Sequence, residues 1–298
     1  MNRLTKMWLI TATSLVAIGL IIFTAVMALY NWDFTKFSTE KFETNTYNIS
    51  QEFNNISINT DTADIFFAVS SDGMCKIVCN EYKKMRYLAE VKDDTLTVST
   101  TDNRKWYDHI GLSFHSPKVT VYLPKTEYNL LSVKESTGDI EIPKDFKFAS
   151  GDISLSTGSV GFSASVEELI KIKTSTGDIR LQNISAGTLD LSVSTGEVSV
   201  LDVTCKNVLS SGSTGDIHLK NVNATEKISI KRSTGNVRFD GSDATEIFVK
   251  TGTGDVGGSL LSEKVFITKT STGEISVPKT TTGGKCEIIT STGDIIFK

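Results

Sequence analysis

Proline, histidine and cysteine are scarce in this 298-residue chain, which contains four, three and four of them. The few histidines and cysteines are scattered, so there is little material for a metal centre or a catalytic nucleophile. An excess of positive charge is also absent, because 31 basic residues stand against 35 acidic ones. We therefore expect no cofactor, no catalytic residues and no nucleic-acid partner.

The cysteines give no sign of a disulfide. Cys75 and Cys79 lie four residues apart on an expected strand, which would separate them by about 13 Å. A disulfide requires Cα atoms closer than about 7 Å. We therefore expect buried free thiols at these two positions, and the same for Cys205 and Cys286.

Charge is absent from one long apolar stretch, residues 7–30, which contains 24 uncharged positions. At about 1.5 Å per residue, a helix of this length reaches about 36 Å and crosses a bilayer core of about 30 Å. Arg3 and Lys6 precede the stretch, and the positive-inside rule then places residues 1–6 in the cytoplasm. The sequence predicts a single-pass anchor in the cell membrane with an extracytoplasmic C-terminal domain.

A cleaved signal peptide is the alternative interpretation of this stretch. The small residues around 26–28 resemble a cleavage site, and cleavage of residues 1–28 stays open. The apolar region of a signal peptide is usually about 7–15 residues long, however. The length of the stretch therefore favours a retained anchor.

A short string, Ser-Thr-Gly followed by an acidic residue, recurs with few changes along the second half of the chain. Eight successive intervals between its glycines are 19 or 20 residues long. Such a constant period indicates a repeat architecture. The glycines are Gly138, Gly158, Gly177, Gly196, Gly215, Gly235, Gly254, Gly273 and Gly293.

Each repeat has the pattern of two short strands. The second residue after every glycine is isoleucine or valine, and apolar residues alternate around it with period two. A two-strand unit of this size cannot bury its own apolar face, whereas stacked units can. The sequence therefore predicts an all-β fold, a parallel β-solenoid rising about 4.8 Å per coil, with each glycine in a positive-φ structural turn.

The pattern continues upstream in a degenerate form. Residues 56–67 fit the same frame with Ala63 in the glycine position, 75 residues before Gly138, which is close to four coils. We therefore interpret residues 51–298 as one solenoid ectodomain of about twelve coils, with regular repeats over 136–298. Residues 31–50 are expected to be a linker. Residues 100–116, which include two of the three histidines, are expected to be a loop insertion.

Stacking would align equivalent side chains in columns, and two columns are charged. The residue after the glycine is acidic in seven of nine repeats. Hydrogen bonds to nearby backbone N–H groups explain this column better than calcium binding. The second charged column lies four residues before the glycine and contains five lysines. This lysine stripe could bind an anionic envelope polymer or lipid headgroups. We favour the alternative that it is a solvated face. The stripe consists of Lys134, Lys173, Lys231, Lys250 and Lys269.

These features together resemble a family of bacterial membrane-anchored β-strand-repeat proteins of unknown function, labelled "putative adhesin", which includes members of envelope-stress operons. The N-terminal anchor, the strand pattern at residues 117–124 and the repeated Ser-Thr-Gly-Asp-Ile carry the resemblance, which covers roughly residues 50–298. The resemblance implies a β-strand-repeat fold and offers no catalytic residues.

Two functions follow from this sequence. The first is a non-enzymatic envelope protein that serves in adhesion, scaffolding or sensing. The alternative is a carbohydrate-active β-solenoid enzyme that acts on an envelope polysaccharide. Enzymes of that kind build clefts from long loops, whereas the repeats over 136–298 differ by one residue in length. The sequence therefore favours the first function.

The chain stops inside its last repeat, four residues after Asp294. An uncapped coil would expose unpaired backbone groups and an apolar cross-section at the membrane-distal tip. We therefore expect something to cover that C-terminal tip. The candidates are an envelope polymer, a partner protein that adds a strand, or self-association with a second copy.

Overall fold

A computed structural model describes residues 2–33, 42–103, 116–124 and 127–298 of the chain. The single helix of this part, α1, spans Arg3–Leu29 and agrees with the apolar stretch of the sequence. An 18-residue window of it has a mean hydropathy of 2.4 and no buried residue. The helix is thus long and apolar enough to cross a membrane.

All other regular elements of the described residues are strands. The first nine are β1 (Phe42–Ile49), β2 (Asn55–Asn59), β3 (Asp64–Val69), β4 (Cys75–Tyr82), β5 (Met85–Lys92), β6 (Thr95–Asp102), β7 (Lys118–Leu123), β8 (Glu127–Thr137) and β9 (Ile140–Ile142). The next seven are β10 (Lys147–Thr157), β11 (Val160–Phe162), β12 (Ser165–Thr176), β13 (Ile179–Gln182), β14 (Ala186–Thr195), β15 (Val198–Thr214) and β16 (Ile217–Thr234). The last seven are β17 (Val237–Asp240), β18 (Asp243–Lys250), β19 (Val256–Ser259), β20 (Lys264–Lys269), β21 (Ile275–Ser276), β22 (Gly284–Ile289) and β23 (Ile295–Phe297).

The pairing of β15 with β16 shows the geometry of a coil. The two strands run parallel in three segments, in which residues 198–201, 203–205 and 207–214 face their equivalents one coil later. We call the segment before each turn glycine the broad face and the segment after it the short face. Alternate side chains of both segments point inward and are buried. From Gly138 to Gly293 the chain makes eight such turns, which confirms the predicted parallel β-solenoid.

The solenoid does not extend unchanged to residue 51. Strand β4 pairs antiparallel with β1 along its whole length and also with β7, and β5 pairs antiparallel with β6. The linker interpretation is therefore wrong for residues 42–49, and residues 75–92 form antiparallel strands instead of a coil. Alternating apolar residues look the same in parallel and antiparallel strands, so the pattern could not separate the two arrangements. The loop expected over 100–116, with His109 and His115, lies mostly outside the described residues.

The coil that contains Ala63 stacks directly on the coil of Gly138. Strand β2 pairs with β8, and β3 pairs with β9, while β6 and β7 cover the opposite edges of β2 and β3. The 75 residues between Ala63 and Gly138 therefore contain no intervening layer of the stack. The prediction of about twelve coils is wrong for this reason.

The last two coils are stacked in the reverse of their sequence order. Strand β22 lies between β18 and β20, and β23 lies between β19 and β21. The C-terminal coil is thus inserted between the coils of Gly254 and Gly273. The expectation that the C-terminal repeat forms the exposed tip is wrong, because the end of the stack is formed by β20 and β21.

Ring packing explains why the C-terminal coil fits this slot. Gly258 occupies an inward position that is apolar and larger in the neighbouring coils, so the coil of Gly254 lacks a side chain there. Phe239 and Phe297 approach across Gly258 to a ring distance of 5.8 Å, although they lie two layers apart. Phe266 of the end coil packs on the other side of Phe297 at 5.3 Å. The inserted phenylalanine therefore fills a gap left by a glycine.

A buried ion pair also spans the inserted coil. Lys264 of β20 stands opposite Gly284 of β22. Because Gly284 has no side chain, the lysine reaches past it to Asp243, with an Nζ–Oδ1 distance of 2.6 Å. Only 3% of the Lys264 side chain and 11% of the Asp243 side chain are exposed. The pair connects the coils on both sides of the inserted one.

A buried carboxyl group lies at the junction with the antiparallel strands. Glu135 of β8 is 5% exposed and accepts a hydrogen bond from the Thr60 hydroxyl of β2. Burial raises the pKa of Glu135 to about 7, against the opposing effect of the Thr60 hydrogen bond. The pKa in the folded state therefore lies above the value of an exposed glutamate, about 4.3.

This pKa predicts a pH dependence of stability. The unfolded chain loses the Glu135 proton near pH 4.3, whereas the folded chain keeps it until about pH 7. The free energy of unfolding should therefore fall as the pH rises through this window, by about 4 kcal/mol in total. Urea unfolding of residues 31–298 between pH 4 and 8 would measure the fall. Glu135→Gln should flatten the profile, and the exposed Glu90→Gln should leave it unchanged; parallel profiles for all three proteins would contradict the prediction.

Candidate functional site

The turn glycines form one continuous column along the solenoid. All nine have a positive φ, between 127° and 149°. A Cβ atom at any of them would lie 1.9–2.2 Å from the carbonyl oxygen of the equivalent residue in an adjacent coil. Both the backbone conformation and the close stacking therefore require glycine.

The acidic column beside the glycines takes part in the stacking. The Asp178 Oδ1 atom accepts a hydrogen bond of 2.9 Å from the backbone N–H of Glu197, one coil later. Asp216 and Asp255 do the same for the next coil in the stack, each at 2.8 Å. The contacts are those expected from turn chemistry, although they join neighbouring coils. The described residues contain no group of three or more histidine, cysteine or acidic side chains that could hold a metal ion.

The five lysines of the predicted stripe are exposed on the broad face, and none of them forms an ion pair within the described residues. The structure brings only two of them together, because Lys231 lies opposite Lys250. Ile289 of the inserted coil separates Lys250 from Lys269. Serines separate Lys134 and Lys173 from their neighbours in the column. The stripe is therefore discontinuous.

The four cysteines are free and buried, as the sequence predicts. Burial raises the pKa of each thiol to about 12. A thiol with such a pKa is almost entirely protonated at neutral pH and is a poor nucleophile. The cysteines are thus part of the core.

A cavity of about 690 Å³ opens on the short face near the C-terminal coils. Its floor is the backbone around Gly257, where no side chain projects. Arg238 stands opposite Gly257 on one side, and Ile296 of the inserted coil stands opposite it on the other. We call this cavity the Gly257 notch. Its lining comprises Glu197, Asp216, Ile217, His218, Asn236, Val237, Arg238, Asp240, Asp255, Gly257, Gly258, Ser259, Ile296 and Lys298.

One wall of the notch is a hydrogen-bonded cluster. The His218 Nε2 atom lies 2.7 Å from Asp240 Oδ2, and Arg238 Nε donates to Asp240 Oδ1 at 3.0 Å. The hydrogen bond from His218 and the neighbouring Arg238 hold the pKa of Asp240 below its usual range. Asp240 therefore stays ionised and fixes the orientation of both side chains, while 70% of the Arg238 side chain remains exposed.

A smaller cavity of about 290 Å³ lies on the same face near Gly161. Gly161 stands between Glu141 and Arg180 in the stack, as Gly257 stands between Arg238 and Ile296. Here the Glu141 carboxylate lies over the glycine, 1.9 Å from the position that a Cβ atom would take. The Gly161 cavity is thus partly filled by the protein, whereas the Gly257 notch is open.

The Gly257 notch was not predicted from the sequence. The sequence signal for the notch is Gly257 itself, which lies three residues after a turn glycine. Side chains at this position point outward, and other coils carry larger ones there, such as Arg180 and His218. Because glycine recurs at the turn of every coil, one additional glycine is not distinctive in the sequence. The second wall also depends on the stacking order, since Ile296 and Lys298 reach this place only through the inserted coil.

Comparison with known proteins assigns the architecture to a family. The sequence profile described as Toastrack DUF4097 matches residues 53–208 and 187–297, which together cover most of the chain. The chain belongs to the Toastrack DUF4097 family. The matched region contains β2 to β23 and the lining of the Gly257 notch except Lys298, whereas β1 precedes it. No curated protein matches the chain.

Solved structures similar to this Toastrack chain have low sequence identity. A putative adhesin from Bacteroides fragilis is 20% identical, with 87% of this chain and 97% of that one covered and a TM-score of 0.48. A putative adhesin from Parabacteroides distasonis is 13% identical, with 87% and 98% covered and a TM-score of 0.48. One from Parabacteroides merdae is 12% identical, with 88% and 98% covered and a TM-score of 0.46.

Proposed function

We propose that this chain is a single-pass membrane protein whose solenoid lies outside the cytoplasm and acts as a non-enzymatic, adhesin-like rod. The observation that carries the proposal is α1, an apolar helix of 27 residues whose most apolar window is entirely exposed. A surface of this length and hydropathy suits the hydrocarbon core of a membrane. Arg3 and Lys6 at its start favour a cytoplasmic N-terminus.

The solenoid has the properties of an independent rod. Its core consists of inward-facing side chains from stacked coils and needs no contribution from α1. Eight layer spacings between the coils of Gly138 and Gly273 give a length of about 40 Å. A rod of this kind presents long lateral faces, which suits adhesion or an envelope scaffold better than a closed active site.

The acidic groups of the short face support a binding role over catalysis. Asp216 and Asp255 accept hydrogen bonds from the backbone of adjacent coils, and Asp240 is held by His218 and Arg238. Each of these carboxylates thus has at least one structural hydrogen bond. The repeats supply no long loop that would enclose a substrate and exclude water. The alternative of a carbohydrate-active enzyme has less support.

Protease treatment of intact cells tests the placement. The full chain would carry one epitope at each end, and a cytoplasmic protein would report on cell integrity. We expect loss of the C-terminal epitope and retention of the N-terminal epitope in the membrane. Protection of the C-terminal epitope until lysis would contradict the topology, and absence of the N-terminal epitope from untreated cells would show a cleaved signal peptide.

A further inference from the structure

We propose that the Gly257 notch is a binding site for an uncharged oligosaccharide. The inference concerns a site on the short face and does not depend on how the chain is placed in the membrane. It rests on the shape of the notch, on the chemistry of its lining and on its charge.

The shape is that of a ligand site. The volume of about 690 Å³ lies within the range of about 300–1,000 Å³ that is typical of small-molecule sites. The backbone at Gly257 forms a floor without a projecting side chain, and a Cβ atom there would lie 2.2 Å from the Ile296 carbonyl oxygen. The notch is therefore fixed by the stacking of the coils and is present before a ligand binds.

The lining combines donors, acceptors and a small apolar surface. Arg238 offers exposed N–H donors, and Asn236 offers an amide at the next outward position of the same coil. Each carboxylate that accepts a backbone N–H through one oxygen, as Asp216 and Asp255 do, retains a second oxygen as an acceptor. Ile296 is 40% exposed and supplies an apolar wall. Hydroxyl groups above an apolar ring face, as in a hexose, match this combination.

The balance of charge argues against an anionic ligand. Four acidic residues line the notch, and only Arg238 and Lys298 are permanent cations there. Asp240 already uses part of the positive charge of Arg238, at 3.0 Å. A phosphate, sulfate or uronate would therefore meet a net negative surface. A neutral polyol avoids this repulsion and still uses the donors and acceptors.

The inserted coil completes the site. Ile296 and Lys298 belong to the C-terminal coil, and they face Arg238 across Gly257 because that coil lies next to the coil of Gly254. Stacking in sequence order would place Ser276 and Pro278 there instead. The unusual order of the last two coils therefore gives the notch its apolar wall and its second cation.

The test uses the full chain in lipid nanodiscs and saturation-transfer difference NMR with three neutral probes: maltohexaose, cellohexaose and chitohexaose. Polygalacturonate serves as the anionic competitor. We expect at least one neutral probe to bind with a Kd of about 1 mM or below, and Arg238→Met to weaken that binding about tenfold or more. Arg180→Met, at the equivalent position beside the smaller cavity, is the matched control and should leave binding unchanged.

Three results would overturn the proposal. The first is that none of the three neutral probes binds. The second is that Arg238→Met and Arg180→Met weaken the binding of a neutral probe equally. The third is that polygalacturonate displaces a bound neutral probe at a concentration equal to or below that of the probe. Both arginines are exposed, so melting curves of the variants should coincide with that of the native chain. Hydrolysis of a bound probe would contradict the non-enzymatic function and support the site itself.

Discussion

Replacement of Gly196 with valine is expected to lower the free energy of unfolding by about 4 kcal/mol, from backbone strain and overpacking together. Gly196 has a φ of 148°, and a Cβ atom there would lie 2.1 Å from the Gly177 carbonyl oxygen. Neither the turn nor the stack can relax without separating two coils. Because most contacts of a coil are with its two neighbours, the damage should be largest in the adjacent layers.

Urea unfolding and hydrogen exchange of residues 31–298 would measure both effects. Gly73→Val is the matched control, because Gly73 also has a positive φ, 72°, but no atom lies within 4 Å of the position that its Cβ atom would take. That variant should show only the conformational strain of about 1–2 kcal/mol. An equal loss of unfolding free energy in the two variants would mean that the close approach between coils does not contribute to the effect of Gly196→Val.

Replacement of Phe297 with alanine is expected to cost about 3–5 kcal/mol, as for other buried phenylalanines. Phe297 of the inserted coil is 4% exposed and packs against Phe239, across Gly258, and against Phe266 of the end coil. Since Gly258 provides no side chain to close the resulting cavity, the loss should lie near the upper end of this range. Hydrogen exchange should show lower protection in β20, β22 and β23.

The neighbouring Ile296→Ala variant provides the comparison for Phe297. The Ile296 side chain points outward and is 40% exposed, while its backbone occupies the same strand. Its loss should cost less than about 1 kcal/mol. Similar losses for the two variants would show that the phenylalanine does not hold the C-terminal coil in its slot.

The regular part of the solenoid could be predicted from the sequence because every coil carries the same physical signals. Each coil has glycine at the turn and isoleucine or valine two residues later. This pattern predicts stacked coils, because only stacking buries the apolar face. The position of each turn glycine and the inward side chains therefore follow from the repeat. The acidic column also follows, although its hydrogen bonds run between coils.

The order of the coils could not be predicted, because nearly identical repeats can stack in more than one order. The deciding features are single residues that break the columns. Gly258 leaves a gap that Phe297 fills, and Gly284 leaves a path for the Lys264 side chain to Asp243. Both contacts join residues two layers apart, and a comparison of adjacent repeats does not detect them.

The sequence contains a local signal for the antiparallel strands at the N-terminal end, but the alternation of apolar residues around it is the same as in the coils. Asp93 and Asp94 lie between β5 and β6, both with a positive φ, 48° and 60°. Such two-residue loops form tight hairpins. Alternation on both sides of this pair fits a hairpin and a coil equally well, so only the turn residues distinguish the two.

Disulfide trapping tests most directly whether the C-terminal coil is inserted between the coils of Gly254 and Gly273. In this arrangement the inward residue Ile247 stands opposite Cys286, which stands opposite Phe266. Adjacent layers lie about 4.8 Å apart, within the Cα range of a disulfide, whereas residues two layers apart lie about 10 Å from each other.

Two variants separate the arrangements when they are refolded under oxidising conditions and analysed by peptide mass spectrometry. One is Ile247→Cys with the native Cys286, and the other combines Ile247→Cys and Phe266→Cys with Cys286→Ser. The inserted arrangement predicts a disulfide between positions 247 and 286 in the first variant and none between 247 and 266 in the second. A disulfide only in the second variant would show that the coils stack in sequence order and would contradict the account.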